Sequence, residues 1–122
     1  MRLTIRGEAR IPSKKNTMRT TRSGGMYKDK SVKRFEFWLG MTAQRAMIIQ
    51  GQQLTSQPVR LTLDVTFGDR RRRDLQNCFG AVCDALEGIV YSDDSQIVQL
   101  AGSKRYEKGV WRFEVGIHPP GE

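Results

Sequence analysis

The sequence predicts an α+β domain in which two main helices pack on a single mixed β-sheet, with elements in the order β-α-β-α-β-β. Three observations carry this. Val59, Leu61, Leu63, Val65 and Phe67 alternate with Arg60, Thr62, Asp64 and Thr66, the period of a half-buried strand. Residues 31–50 and 75–86 instead repeat apolar side chains three and four positions apart, the period of an amphipathic helix. Finally, residues 96–106 and the alternating Trp111, Phe113, Val115 and Ile117 read as two strands joined near Lys108 and Gly109 in a hairpin.

Taken in order, residues 2–8 form a first strand, with Leu3 and Ile5 on one face and Arg2, Thr4 and Arg6 on the other. Residues 10–30 combine Pro12, Ser13, Asn16, Ser23, Gly24 and Gly25 with Lys14, Lys15, Arg19, Arg22, Lys28 and Lys30, and read as a long basic loop. Such a loop is either a solvated tether or an arm that orders on a phosphate backbone, and the excess of cations over the single acid Asp29 favours the arm.

The first helix carries Phe35, Trp38, Leu39, Thr42, Ala46 and Ile49 on one stripe, with Ser31 or Asp29 as its cap. Phe37, Met41 and Ile48 lie off that stripe, so a second side of the helix is apolar and awaits either a second subunit or a loop of the same chain. Asp74 is positioned to cap the second helix, whose stripe is Leu75, Cys78, Phe79, Val82, Cys83 and Leu86, and Gly88 to stop it.

A chain of 122 residues with 38% hydrophobic content supports one modest core, hence a single domain spanning 1–122 with a flexible tail over 118–122. The balance of 21 Lys plus Arg against 13 Asp plus Glu, a net +8, calls for a polyanionic partner, nucleic acid or an anionic membrane surface. No stretch resembles a signal peptide and no apolar run approaches the ~20 residues of a membrane span, so a soluble, cytoplasmic location is expected. Cys78 and Cys83 are five apart on one helix and point to different sides, the pattern of buried reduced thiols. His118, the only histidine, precedes Pro119 and Pro120 and is given no catalytic role.

The richest stretch is 69–100, where Arg70, Arg71, Arg72 and Arg73 precede Asp74 and a second acidic pair, Asp93 and Asp94, follows the helix. Hard cations such as Mg²⁺ are held by a few carboxylates together with water and substrate phosphate, while guanidinium groups grip phosphates. If the helix opened by Asp74 and the strand after Asp94 are neighbours, the two acids can converge on one ion. The plain structural alternative is helix capping by Asp74 and turn chemistry at the Asp pair.

The segments RRRRDLQN, DAL and GIVYSDDSQIV, in that order and spacing, resemble the RusA-type endodeoxyribonucleases, Holliday junction resolvases often encoded by phages and prophages, and IPSKKN at 11–16 resembles the N-terminal loop of that family. The resemblance implies a homodimer of mixed α/β fold that binds four-way DNA junctions and cuts them symmetrically with Mg²⁺ or Mn²⁺. Asp74, Asn77, Asp93 and Asp94 carry over as catalytic positions, with Asp94 as metal ligand and Asp93 as support or additional ligand. Arg70 to Arg73, with Lys14, Lys15, Arg19 and Arg22, become the DNA contacts. No membrane partner and no small-molecule cofactor are expected.

Two positions depart from the family pattern, which has an aspartate where this chain has Gln76 and a lysine where it has Gly80. Gln76 can offer a metal its carbonyl oxygen but no charge. A mid-helix glycine costs about 1 kcal/mol relative to alanine and brings no cation. Asp69 or Glu87 are the available replacement carboxylates and Lys14, Lys15 or Lys104 the replacement cations, whereas Asp84 lies roughly 15 Å along the helix from Asp74. Two functions therefore stand side by side: a metal-dependent, structure-selective DNA endonuclease, and a branched-DNA-binding protein whose nuclease activity is weakened or lost.

Overall fold

Five apolar side chains at alternate positions make β4 (Val59–Phe67) the strand around which the core assembles, and all five are buried in the computed structural model. Each such side chain stabilises the fold by about 1.5–3 kcal/mol when fully buried. The structure describes residues 1–12, 18–20, 26–28 and 30–121. Besides β4 these form β1 (Leu3–Gly7), β2 (Met18–Thr20), β3 (Met26–Lys28), α1 (Lys30–Ile49), α2 (Leu75–Leu86), β5 (Ile97–Tyr106) and β6 (Arg112–His118). A 3-10 turn, Asp94–Gln96, leads into β5. The expected α+β class and the order of the main elements are both present.

The sheet runs β1-β6-β4-β5. β4 is antiparallel to β6, with Leu61 opposite Ile117, and parallel to β5, with Leu61 opposite Leu100. This corrects the hairpin expected between the last two strands, because β4 lies between them. The reason is the helix: α2 carries the chain from the end of β4 back to its start, and a strand entered from there runs parallel to β4. The short link after β5 then passes over the end of β4, where the Glu107 amide donates to the Phe67 carbonyl at 3.0 Å and the Gly109 amide to that of Gly68 at 2.9 Å.

Within the segment read as a basic loop, β2 and β3 pair antiparallel as a separate two-stranded sheet. Three-residue strands are too short for an alternation to reveal. Lys14, Lys15, Arg22 and the proposed cap Asp29 lie outside the described residues.

Both helices are turned by about one position from the expected stripes. On α1 the buried residues include Val32, Phe35, Leu39, Ala43 and Met47, whereas Ile49 is 74% exposed. Apolar residues occupy so much of this helix that periodicity alone did not fix its inward side. Phe37 at 73% and Ile48 at 81% exposure, with Met41 between them, form the second apolar side expected. On α2, Ala81 and Ala85 join Cys78, Val82 and Leu86 in the core, while Leu75, Phe79 and Cys83 are half-buried. Gly102 of β5 lets that flank approach, since a Cβ there would meet the Leu63 carbonyl oxygen and the Phe79 ring tip at 2.8 Å each.

The other sheet face carries polar pairs: Arg6 with Glu114 at 3.2 Å, the Ser103 hydroxyl with Asp64, and Thr62 Oγ1 with His118 Nε2 at 3.3 Å. His118 thus ends β6. After α2, Gly88 takes the left-handed φ of +83° that a side chain would strain, and the buried Tyr91 hydroxyl donates to the Cys83 carbonyl at 2.6 Å. Both cysteines are free, and burial pushes each thiol up to about 11, which keeps them protonated and unreactive at neutral pH.

Candidate active site

Asp74 caps α2 as the sequence requires: its backbone is extended and its carboxylate accepts from the Gln76 amide at 2.9 Å. It shares a cleft of about 830 Å³ with Asn77, Arg72, Arg73 and Lys104, floored by Phe67, Leu75, Cys78 and Ile11. Lys104 reaches in from β5, its Nζ donating to the Arg73 carbonyl at 2.8 Å. A third cation therefore enters from the neighbouring strand, while Gln76 and Gly80 are not among the described residues lining this cleft.

The four arginines divide into two kinds. Arg73 is half-buried and folds back on Asp69, Nη2 lying 2.9 and 2.8 Å from the two carboxylate oxygens, with its guanidinium 5.0 Å from the Trp111 ring centroid. Partial desolvation pushes the Asp69 carboxyl up, but hydrogen bonds from the Arg73 side chain and Arg71 amide, with the charges of both, outweigh it and hold the group below the usual range. Asp69 is thus committed to Arg73 rather than offered to the cleft. Arg70, Arg71 and Arg72 are exposed, and Arg70 lies 4.4 Å over the Tyr106 ring.

The opposite end of α2 gathers three acids. One carboxylate oxygen each from Glu87, Asp93 and Asp94 lies within 4.8 Å of the others, and all three side chains are exposed. Asp93 caps the 3-10 turn, accepting from the Ser95 amide at 2.9 Å, while the Gln96 side chain accepts in return from the Asp93 amide at 2.9 Å. The Asp94 amide donates to Glu87 at 3.2 Å. A hydrogen bond shared with Asp93 raises the Asp94 carboxyl above its ordinary value, aided by partial desolvation and by the charges of Glu87, Asp93 and Asp84. Hydrogen bonds from Ser95 hold Asp93 low. Crowded carboxylates that resist losing their last proton are a donor set suited to a hard divalent cation.

The chain does not bring the two acidic positions together. The 12 residues of α2, about 18 Å of helix, lie between Asp74 and Glu87, and it is with Glu87 that Asp93 and Asp94 group. Of the DNA contacts expected from the basic segment, Arg19 lies in β2. Arg105 and Tyr106, beside the arginine run, were not singled out from the sequence, since the alternation of β5 marked them only as strand residues. The partnership of Glu87 with the acidic pair was legible only as a possible replacement carboxylate, although Asp93 and Gln96 do carry the spacing of a capping box.

One end of α2 thus holds a basic cleft around the capping carboxylate of Asp74 and the other gathers three carboxylates, on a strongly basic α+β domain. The chain belongs to the RusA family: the model described as Endodeoxyribonuclease RusA matches residues 9–118. No curated protein matches the chain. The family is one of Holliday junction resolving nucleases that act on branched DNA and generally need a divalent metal. No helix among the described residues is long and apolar enough to cross a membrane.

Proposed function

We propose that this protein is a divalent-metal-dependent endonuclease that cuts phosphodiester bonds at four-way DNA junctions and acts as a homodimer. The observation that carries the reading is the meeting of Glu87, Asp93 and Asp94 within 4.8 Å on a strongly basic chain of this family. These three oxygen donors fit Mg²⁺ or Mn²⁺, with Asp94 as the principal ligand because Asp93 is engaged in capping. An ion held there supplies Lewis acidity to the phosphodiester and acidity to the attacking water. Arg71 and Arg72 hold the flanking phosphates, Asn77 orients the strand, and Lys104 supplies from β5 the cation that Gly80 lacks.

The roughly 18 Å of helix between Asp74 and Glu87 gives the dimer a chemical purpose. A two-fold axis that sets two α2 helices antiparallel brings Asp74 of one copy against Glu87, Asp93 and Asp94 of the other. The flank available for this contact combines half-buried Leu75 and Phe79 with the exposed Val98 and Leu100 of β5. The outer stripe of α1 suits self-pairing less well, because Lys30, Arg34 and Arg45 are exposed on the same helix and an antiparallel copy would set like charges together.

The test is cleavage of a labelled four-way junction in Mg²⁺ or Mn²⁺ by Asp74→Asn, by Asp94→Asn, and by the two variants mixed. Each alone is expected to be silent and the mixture to regain part of the activity, since a hybrid dimer rebuilds one intact site. A mixture as silent as its parts sinks the shared site, and a wild-type protein that binds junctions without nicking them sinks the enzyme.

The second reading, a branched-DNA-binding protein of weakened activity, is favoured by one observation: Asp74 is the sole carboxylate lining its cleft among the described residues. On that reading, Gln76→Asp combined with Gly80→Lys converts a silent protein into a cutting one.

A further inference from the structure

Beside the Asp74 cleft lies a second hollow of about 520 Å³, which shares Phe67, Arg72, Arg73 and Lys104 with it. Among the described residues its one carboxylate is Asp69, and Arg73 takes it. Arg70, Arg71, Arg72 and Lys104 therefore line this space with no further carboxylate among its described lining residues to balance them. At its rim stands Tyr106, 41% exposed at the end of an edge strand, with the Arg70 guanidinium stacked 4.4 Å from the ring centroid. A ring still 41% exposed beside these cations offers aromatic surface to whatever binds there. Phosphate contacts alone would need the cations and not the ring.

We infer that this hollow is a nucleobase-stacking subsite, in which Tyr106 and Arg70 form the planar surface for one base drawn out of the stack beside the branch. The inference rests on the DNA-junction reading above and names a contact that reading leaves open. Aromatic rings and guanidinium planes both stack on bases without regard to sequence. Surrounding arginines hold the two phosphates that flank the displaced nucleotide, so ring and cations address different parts of one ligand. Because the hollow adjoins the Asp74 cleft, the base is removed next to the phosphodiester presented there, where a branch already offers interrupted stacking and extraction is least costly.

The test is a coupling measurement on four-way junctions in Ca²⁺, read as affinity and independent of cutting. Tyr106→Ala is expected to weaken binding to an intact junction about tenfold, and Tyr106→Phe to leave it unchanged. With an abasic nucleotide placed in turn at each position beside the branch, the Tyr106→Ala loss is expected to vanish at one position and persist at the others. An unchanged affinity for Tyr106→Ala, or a loss that survives every abasic substitution, overturns the subsite while leaving the junction-binding reading intact. Failure of the wild-type protein to bind any junction overturns both. Deoxythymidine monophosphate is expected not to compete, since it brings one phosphate and no flanking strand; competition at micromolar concentration would assign the hollow to a free nucleotide and overturn the proposal.

Discussion

The two ends of α2 differ in how charge is arranged. At its start the capping carboxylate of Asp74 sits among Arg72, Arg73 and Lys104 in a cleft; at its finish Glu87, Asp93 and Asp94 stand together, all three exposed. The first end is organised to receive negative charge, and the second to receive positive charge. In the proposed mechanism one helix keeps apart the two partners that phosphodiester hydrolysis must bring together, and joining them falls to the proposed dimer.

The largest effect that would break this contrast is on catalysis. Asp94→Asn is expected to lower junction cleavage by about 100-fold or more while leaving junction binding in Ca²⁺ within twofold, read by single-turnover cleavage and gel shift; an equal loss of both would make the acidic end a DNA-binding surface instead.

Next comes pH. A metal binds the ionised carboxylates, so as pH falls Mn²⁺ affinity is expected to decline through the Asp94 value, which lies above its ordinary one, and Glu87→Gln is expected to move that decline to lower pH, as followed by Mn²⁺ electron paramagnetic resonance. The stability signs are opposed at the two ends. The metal-free fold binds the Asp94 proton more tightly than the unfolded chain does, so this group's contribution favours folding more as pH falls through its folded value. The depressed Asp69 carboxyl stabilises the fold above its unfolded value and loses that contribution as pH falls through its folded one.

The arginine run gives a sharper, smaller test. Replacing Arg71 and Arg72 with alanine is expected to reduce the slope of log affinity against log salt by about 0.9 for each lost phosphate contact, with little change in thermal stability. Arg73→Ala should do the reverse, leaving the slope nearly unchanged and costing about 1–2 kcal/mol in urea denaturation through the lost Asp69 pair and the contacts with Phe67 and Trp111. Smallest is Gly102→Ala, expected to cost about 1 kcal/mol because the flank of α2 must lift from β5.

What the sequence disclosed follows from how local each feature is. The alternation of β4, the cap at Asp74 and the stop at Gly88 depend on neighbours a few residues away, and the structure has them where the sequence put them. The pairing of β5 and β6 is different: nothing in two adjacent alternating segments tells that a strand forty residues earlier will lie between them, and only the crossover through α2 decides it. Helix rotation was missed because apolar residues on α1 cover more than the face that is buried. At the site, residue types were legible and distances were not. Asp74 and Asp94 belong to one motif in the chain but to opposite ends of a helix in space, and the sequestering of Arg73 by Asp69 is invisible in a run of four identical residues.

The position of β6 bears on how the molecule comes into being. It follows every other strand in the chain yet lies between β1 and β4, so Leu3 has no partner until Ile117 has been made. On the ribosome, β1 must wait as an unpaired, half-apolar strand while the basic segments and both helices emerge. The sheet then closes in a late step dominated by distant contacts, which is intrinsically slow and exposes strand edges meanwhile. Shortening the chain by its final strand is expected to leave two disconnected sheet edges rather than a smaller folded domain.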